Sequence, residues 1–446
     1  MKKVFTFAVC VMIIFSMTVN CYAEETMKRG SRGDDVREVQ KMLISLGYLE
    51  EGEADGIFGP KTEKAVLAFQ QDKDLDATGI AGKGTCSALK KDTGDREADT
   101  AQDAEASGGS IDYTEVFPSW NPESESLDEL VKYVTSSADE SGSDYLEPED
   151  RIAVFDMDGT IICEKAPVYI DYCLTMYRVL DDPSYSASEE ERDAMQQVRD
   201  HAYCEGKTFH PEGITKDDLV ASAFAGMTPK EFRDYVNDFA YSTDAVGFEG
   251  MTYGESFYKP MIEVIEYLKA NNYDVWMVSA CEREVVRALV ERFDIPYDHV
   301  VATDVPYVAS GKGEEAADEY NMSRDETILL GEPLDEVECG KSGKPAAIAR
   351  EIGKRPVLAF GNSSGDYSML NYAEGNPDHT GMGFFVVCDD TGREYGSDEK
   401  AAEYYDVVEK EGWTAFSMAD DWKTIYGDNV QKTGLPGAEE ALEEAA

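Results

Sequence analysis

Apolar residues recur along this chain with a period that changes from one stretch to the next. Val36, Val39, Leu43 and Leu46 return at helical spacing, and Gly47 follows as a stop. Asp55-Gly56-Ile57-Phe58-Gly59-Pro60 reads as a turn that feeds Pro60 into a second helix, with Ala65, Val66 and Phe69 on one face. Gly79 and Gly82 punctuate a third element ending near Leu89. Residues 27–90 are therefore expected to form a compact three-helix unit. From residue 150 to about 430, short apolar runs alternate with helical patterns, which predicts an α/β domain. Ile152–Phe155, Val275–Val278 and Val357–Phe360 read as buried strands.

Between these regions the pattern fails. Residues 91–145 are rich in Asp, Glu, Ser, Gly and Ala, and such a stretch buries too little apolar surface to offset its ordering entropy. It reads as an acidic disordered linker, with a short helix over Leu127–Val134 at its end. Residues 431–446 read as an acidic tail. At the other end, Lys2 and Lys3 precede an apolar run from Val4 to Val19, and Ala23 precedes Glu24-Glu25. That is the layout of a secretory signal peptide, residues 1–23, with cleavage after Ala23. The alternative is an uncleaved anchor, for which the run is short of the roughly 20 residues of a span. No later stretch is long and apolar enough to cross a membrane.

The formal net charge of −50 makes nucleic acid a poor partner, because phosphate backbones are bound through clustered Lys and Arg. Seven cysteines follow the signal region, and no C-x-x-C pair exists, so neither a zinc site nor a dense disulfide framework is indicated.

The chemistry concentrates after the first strand of the larger domain. Asp156-Met157-Asp158-Gly159-Thr160 places two carboxylates two residues apart at a strand's carboxyl end, where open α/β sheets hold their ligands. Two adjacent buried carboxylates call for a cation or a proton, and a hard cation such as Mg²⁺ suits oxygen donors. The motif resembles the first motif of the haloacid dehalogenase superfamily, Asp-x-Asp-x-Thr. The further motifs follow in order: Ser279 after Val275–Val278, Lys344 opening a helix that runs through Ile348 and Ile352, and Gly361-Asn362-Ser363-Ser364-Gly365-Asp366 after the third strand.

That resemblance implies a Rossmann-like parallel sheet and an aspartyl-phosphate mechanism. Asp156 is then the nucleophile and Asp158 the general acid and base. Thr160, Ser279 and Lys344 hold the phosphoryl oxygens. Asp156, the Asp158 carbonyl, Asn362 and Asp366 are the candidate Mg²⁺ ligands. Asn362 departs from the commoner Asp and removes one negative charge. An acid at position 158 favours rapid turnover, hence a phosphatase, with phosphotransferases behind it; a wall-binding protein with an inactive second domain is the rival from another class.

About 118 residues (161–278) separate the first two motifs. Helices are expected over Tyr172–Leu180, Ser188–Tyr203, Thr215–Phe224 and Thr228–Phe239, the last opened by the capping box Thr228-Pro229-Lys230-Glu231. An insertion of this kind, taken as residues 164–258, resembles the C1 cap of the phosphoserine-phosphatase-like branch. Glu164 is a candidate contact for a cationic substrate, although a solvated Glu is the commoner case. Tyr169, Tyr172, Tyr177, Tyr253 and Phe257 could line an aromatic cage, although core packing is the commoner use. His201 and His210 are read as structural. Residues 304–325 break the strand-helix rhythm and are expected to form a hairpin or loop beyond the sheet.

The smaller unit has its own signature. Gly30-Ser31-Arg32-Gly33-Asp34-Asp35-Val36, Gln40, Leu46-Gly47-Tyr48, Asp55-Gly56-x-Phe58-Gly59-x-x-Thr62 and Phe69-Gln70 resemble the peptidoglycan-binding domain of bacterial wall enzymes. The expectation is therefore an exported, cell-wall-associated, Mg²⁺-dependent phosphomonoesterase. Its partners would be peptidoglycan and a small phosphate ester, with no nucleic acid and no stable membrane span.

Overall fold

A computed structural model describes residues 27–437, apart from 30, 32, 50–53, 55, 74, 76–77, 83–84, 87, 92–112, 208, 212, 312–321 and 332–338. The expected signal peptide and residues 438–446 lie outside the described residues. The chain divides into two units, Met1–Gly109 and Ser110–Ala446.

In the first unit, helices Asp34–Ser45 and Pro60–Asp72 carry the expected apolar faces, and residues 85–86 and 88–91 are also helical. Leu43, Phe58, Val66 and Phe69 are fully buried. Two buried glutamines tie the loops to the helices. Gln40 Nε2 donates to the Ile57 carbonyl at 3.1 Å, and its Oε1 accepts from Gly56 N–H at 2.7 Å. Gln70 Nε2 donates to the Ile80 carbonyl at 2.9 Å, and its Oε1 accepts from Gly79 N–H at 2.9 Å. Buried amides with every polar atom engaged specify a fold rather than a ligand site.

The second unit is a six-stranded parallel sheet. Its strands in chain order are β1 Ile152–Phe155, β2 Asp274–Glu282, β3 Val300–Thr303, β4 Leu358–Gly361, β5 Met382–Val387 and β6 Thr414–Ser417. The spatial order is β3-β2-β1-β4-β5-β6, with all five pairings parallel. This is a doubly wound, Rossmann-like sheet, and the order reverses at β1. Both faces are covered, as parallel sheets require. Ile152 and Val154 of β1 point into one apolar cluster, and Ala153 and Phe155 into the other. The strands therefore read as unbroken apolar runs.

Helices Ile170–Met176, Glu189–Glu205, Lys216–Phe224 and Pro229–Ser242 fill the insertion between β1 and β2. Ser188, Thr215 and Thr228 each close a capping box, the third at the position expected. Tyr307–Ala309 and Ile328–Leu330 pair antiparallel outside the main sheet, as the break in rhythm suggested.

Two segments differ from their composition. Residues 113–145 of the expected linker hold helices Tyr113–Val116 and Glu125–Ala138. Leu127, Leu130, Val131 and Val134 form a buried stripe on the longer helix, and Trp120 Nε1 donates to the Pro260 carbonyl at 2.9 Å. Glu125, Glu129, Lys132 and Thr135 are exposed on the other side, so the short helix expected over Leu127–Val134 is part of a longer amphipathic one. In the expected tail, Gln431–Lys432 pairs with Phe248–Glu249, and Gly437 N–H donates to the Tyr203 carbonyl.

Candidate active site

The site forms where the strand order reverses. Asp156 N–H donates to the Phe360 carbonyl at 2.9 Å, so β1 stays paired with β4 up to the first carboxylate. The chain then turns tightly: Gly159 N–H reaches the Ile162 carbonyl at 2.8 Å, and Gly159 has φ +80°. A Cβ built on Gly159 would stand 1.9 Å from Asn362 Nδ2, so only glycine admits the Asn362 amide against this turn.

Lys344, in the first turn of helix Gly343–Glu351, reaches back to the turn. Its Nζ lies 2.5 Å from Asp156 Oδ1 and 2.7 Å from Asp366 Oδ1. All three residues are buried. Desolvation opposes the ammonium, but the two carboxylates more than offset it and hold Lys344 charged well above the ordinary lysine range. Desolvation and the Asp366 charge push Asp156 up, while Lys344 pulls it back. With the ammonium at hydrogen-bond distance, the geometry supports an ionised Asp156.

Asp366 is held on both oxygens. Oδ1 faces Lys344, and Oδ2 accepts from the N–H groups of Asn362 and Ser363 at 3.1 and 3.0 Å. It thereby fixes the loop that carries Asn362. Thr160 Oγ1 lies 3.4 Å from Asp156 Oδ2 and 3.3 Å from Asn362 Oδ1. Ser279 is buried, and its hydroxyl accepts from Cys281 N–H at 3.1 Å. The β1–β2 register sets Phe155 opposite Met277, which puts Ser279 level with Met157 at the same end of the sheet. β2 runs three residues beyond Ser279, with a register shift against β3 after that residue. Asp158 is half-buried; burial chiefly raises the pKa of Tyr169 and Cys173 on the insertion, and the Asp158 charge adds a smaller push to each.

The oxygen donors shown within this group are the Asp156 and Asp366 carboxylates and the Asn362 amide. Among the described residues no three His, Cys, Asp or Glu side chains converge as a ready-made cage. Mg²⁺ is ordinarily held by one or two carboxylates, waters and substrate phosphate rather than by an all-protein cage, so the donor set fits it.

A cavity of about 370 Å³ opens beside the site, with Asn362 and Glu164 in its lining. Glu164 accepts from Tyr169 Oη–H at 3.2 Å, and burial raises its pKa. Of the expected aromatics, only Tyr169 reaches this lining. Tyr172, Tyr253 and Phe257 are buried in the apolar core, and Tyr177 packs on Phe239. His201 stacks on Phe209, and His210 lies 3.2 Å from Tyr172 Oη. Sequence reading missed Lys207, Tyr395, Lys400 and Tyr404 in the lining. They are brought there by the chain's tertiary course and carry no local motif.

Comparison with known protein families agrees with this architecture. Residues 153–371 match the haloacid dehalogenase-like hydrolase family, and residues 32–89 match the family of peptidoglycan binding domains. The spore cortex-lytic enzyme of Bacillus cereus is 36% identical over 75 residues, which are 17% of this chain and 29% of that protein. The enzyme of the same name from Halalkalibacterium halodurans is 30% identical over 76 residues, 17% of this chain and 23% of that protein. The chain thus spans less than a third of these curated relatives. Among solved structures, a functionally unknown protein from Anaerococcus prevotii DSM 20548 is 16% identical, covers 67% of this chain and 92% of its own, and has a TM-score of 0.42. A phosphoserine phosphohydrolase-like protein from Francisella tularensis is 14% identical, covers 53% and 87%, and has a TM-score of 0.30.

Proposed function

With residues 153–371 forming a haloacid dehalogenase-like hydrolase domain and residues 32–89 a peptidoglycan binding domain, we propose that this chain is an exported, wall-associated, Mg²⁺-dependent phosphomonoesterase. The observation that carries the reading is convergence. Thr160 and Asn362 are 202 positions apart and Asp156 and Lys344 are 188 apart, yet they share one buried cluster. Structural ion pairs are seldom this well shielded without a functional reason, because burying charge is costly.

Asp156 attacks phosphorus, the bond to the ester oxygen breaks, and an aspartyl-phosphate forms. Asp158 gives its proton to the departing alkoxide and then takes one from the water that hydrolyses the aspartyl-phosphate. Lys344 offsets the charge of Asp156, so that an anionic carboxylate can approach an anionic ester. Thr160 and Ser279 donate to the phosphoryl oxygens, where charge spreads in the transition state. Asp156, the Asp158 carbonyl, Asn362 and Asp366, directly or through water, would hold Mg²⁺, and Asp366 also fixes the loop that carries Asn362. Bound there, the ion would neutralise phosphoryl charge. The helical insertion would close over the substrate and exclude bulk water.

Hydrolysis of p-nitrophenyl phosphate with and without Mg²⁺, in the wild type and Asp156→Asn, tests the reaction. Activity that survives the substitution would refute it. Co-sedimentation with purified wall sacculi, with and without residues 27–90, tests the first unit; equal sedimentation of both would leave that unit a spacer.

A further inference from the structure

The cavity lining carries chemistry that phosphoryl transfer itself does not use. At about 370 Å³ the cavity lies toward the small end of small-molecule sites, roughly 300–1,000 Å³. Its Asn362 is linked through Thr160 to the nucleophile, so the cavity adjoins the reacting centre and can receive the part of a substrate that lies beyond its phosphate. Among the described residues the rest of the lining includes Lys165, Lys207 and Lys400 against one carboxylate, Glu164. Across the chain the balance is the reverse, with 91 acidic residues to 41 basic ones.

Two further observations give the sign of the ligand. Burial raises the Glu164 pKa, which weakens its demand for a cationic ligand, and what offsets that burial comes from the chain itself: the charges of Lys165 and Lys400 and a hydrogen bond from Tyr169. In addition, two of the three tyrosines in the lining, Tyr395 and Tyr404, already carry one of the chain's own ammonium groups over a ring face. Lys400 Nζ lies 4.9 Å from the centroid of Tyr404, and Lys432 Nζ lies 4.6 Å from that of Tyr395. Lys400's ion pair with Glu403 spans 3.5 Å between exposed groups, a weak pairing that a ligand can replace.

We propose that the substrate is a small phosphate monoester whose leaving alcohol bears a second anionic group, a carboxylate or another phosphate, held by Lys165, Lys207 and Lys400. This rests on the phosphatase reading above and reverses the cationic substrate suggested by Glu164 alone. The matched pair 3-phosphoglycerate and glycerol 3-phosphate differs chiefly by the carboxylate; glycerol 1,3-bisphosphate supplies the second phosphate, and phosphocholine the cation.

With the full chain and Mg²⁺, kcat/KM is expected to be at least about tenfold higher for one of the two doubly anionic esters than for glycerol 3-phosphate or phosphocholine. Lys400→Gln, Lys165→Gln and Lys207→Gln should raise KM for the preferred ester about tenfold more than for glycerol 3-phosphate. A preference for phosphocholine, or lysine effects equal on all esters, overturns the proposal. Calorimetric binding of the same esters to Asp156→Asn, with and without Lys400→Gln, separates the two readings. Failure of turnover on every ester counts against the phosphatase, whereas binding that ignores both the second anion and Lys400 counts against the proposed substrate.

Discussion

Lys344 Nζ lies 2.5 Å from Asp156 Oδ1, across 188 positions of sequence and inside a site that solvent barely reaches. The same ammonium binds Asp366, so one cation balances two buried carboxylates. Replacing it, as in Lys344→Met, leaves both uncompensated. The expected cost is about 3–5 kcal/mol of stability, with a loss of at least about 10²–10³ in kcat/KM. Tryptophan fluorescence during denaturant unfolding reads the stability of the larger unit alone, since Trp120, Trp276, Trp413 and Trp422 all lie there. Near-normal activity in this variant would remove Lys344 from the mechanism.

Gly159 and Asn362 form a second constraint. Gly159→Ala must relieve both a φ of +80° and a contact at 1.9 Å with the Asn362 amide. It should abolish activity and destabilise the unit by more than about 2 kcal/mol. Gly412 has φ +88° but open space around it, so Gly412→Ala should cost only about 1 kcal/mol and leave activity intact. Equal effects at the two positions would mean that the approach of Asn362 is unimportant.

Asn362 contributes an oxygen without a charge. Asn362→Asp should lower the Mg²⁺ concentration for half-maximal activity about tenfold, equivalent to about 1.4 kcal/mol, and Asn362→Ala should raise it. Activity should vanish with a chelator and return with Mg²⁺. Metal titrations that coincide for all three proteins would place Asn362 outside the metal site.

Glu394 lies elsewhere in the core and makes stability depend on pH. Burial pushes its carboxyl up to about 7 from an ordinary 4.5, despite donors from Tyr426, Tyr395 N–H and Cys163. The folded state therefore holds this proton where the unfolded chain releases it. Its stabilising effect is complete below about pH 4.5 and is lost as pH rises through 7, up to about 3 kcal/mol. Glu394→Gln removes that slope. Glu282, pushed up to about 8 by burial, acts in the same direction, so the difference between wild type and variant isolates Glu394. Unfolding midpoints at pH 5 and 8 that shift equally in both proteins would contradict this.

What the sequence made legible was local or periodic. β1 was readable because both faces of a parallel strand are apolar, and Thr228 announced its helix because a capping box is written within four residues. Lys344 could be singled out by motif order, although only folding brings it to Asp156. The helix Glu125–Ala138 was only partly legible: Leu127, Leu130, Val131 and Val134 keep helical spacing, but the surrounding charge and small residues dominated the average. Lys400 and Tyr404 could not be linked to Glu164 at all, since their meeting depends on how the chain returns after β5.

The most direct test is to quench the enzyme with acid during turnover of a phosphate ester, reduce it with borohydride and map the modified peptide. Borohydride converts an aspartyl-phosphate to homoserine. The expected result is homoserine at position 156 alone, formed only when substrate is present and absent from Asp156→Asn. Turnover with no modification at that position, or with the phosphoryl group trapped on another residue, would contradict the assignment of Asp156 as nucleophile.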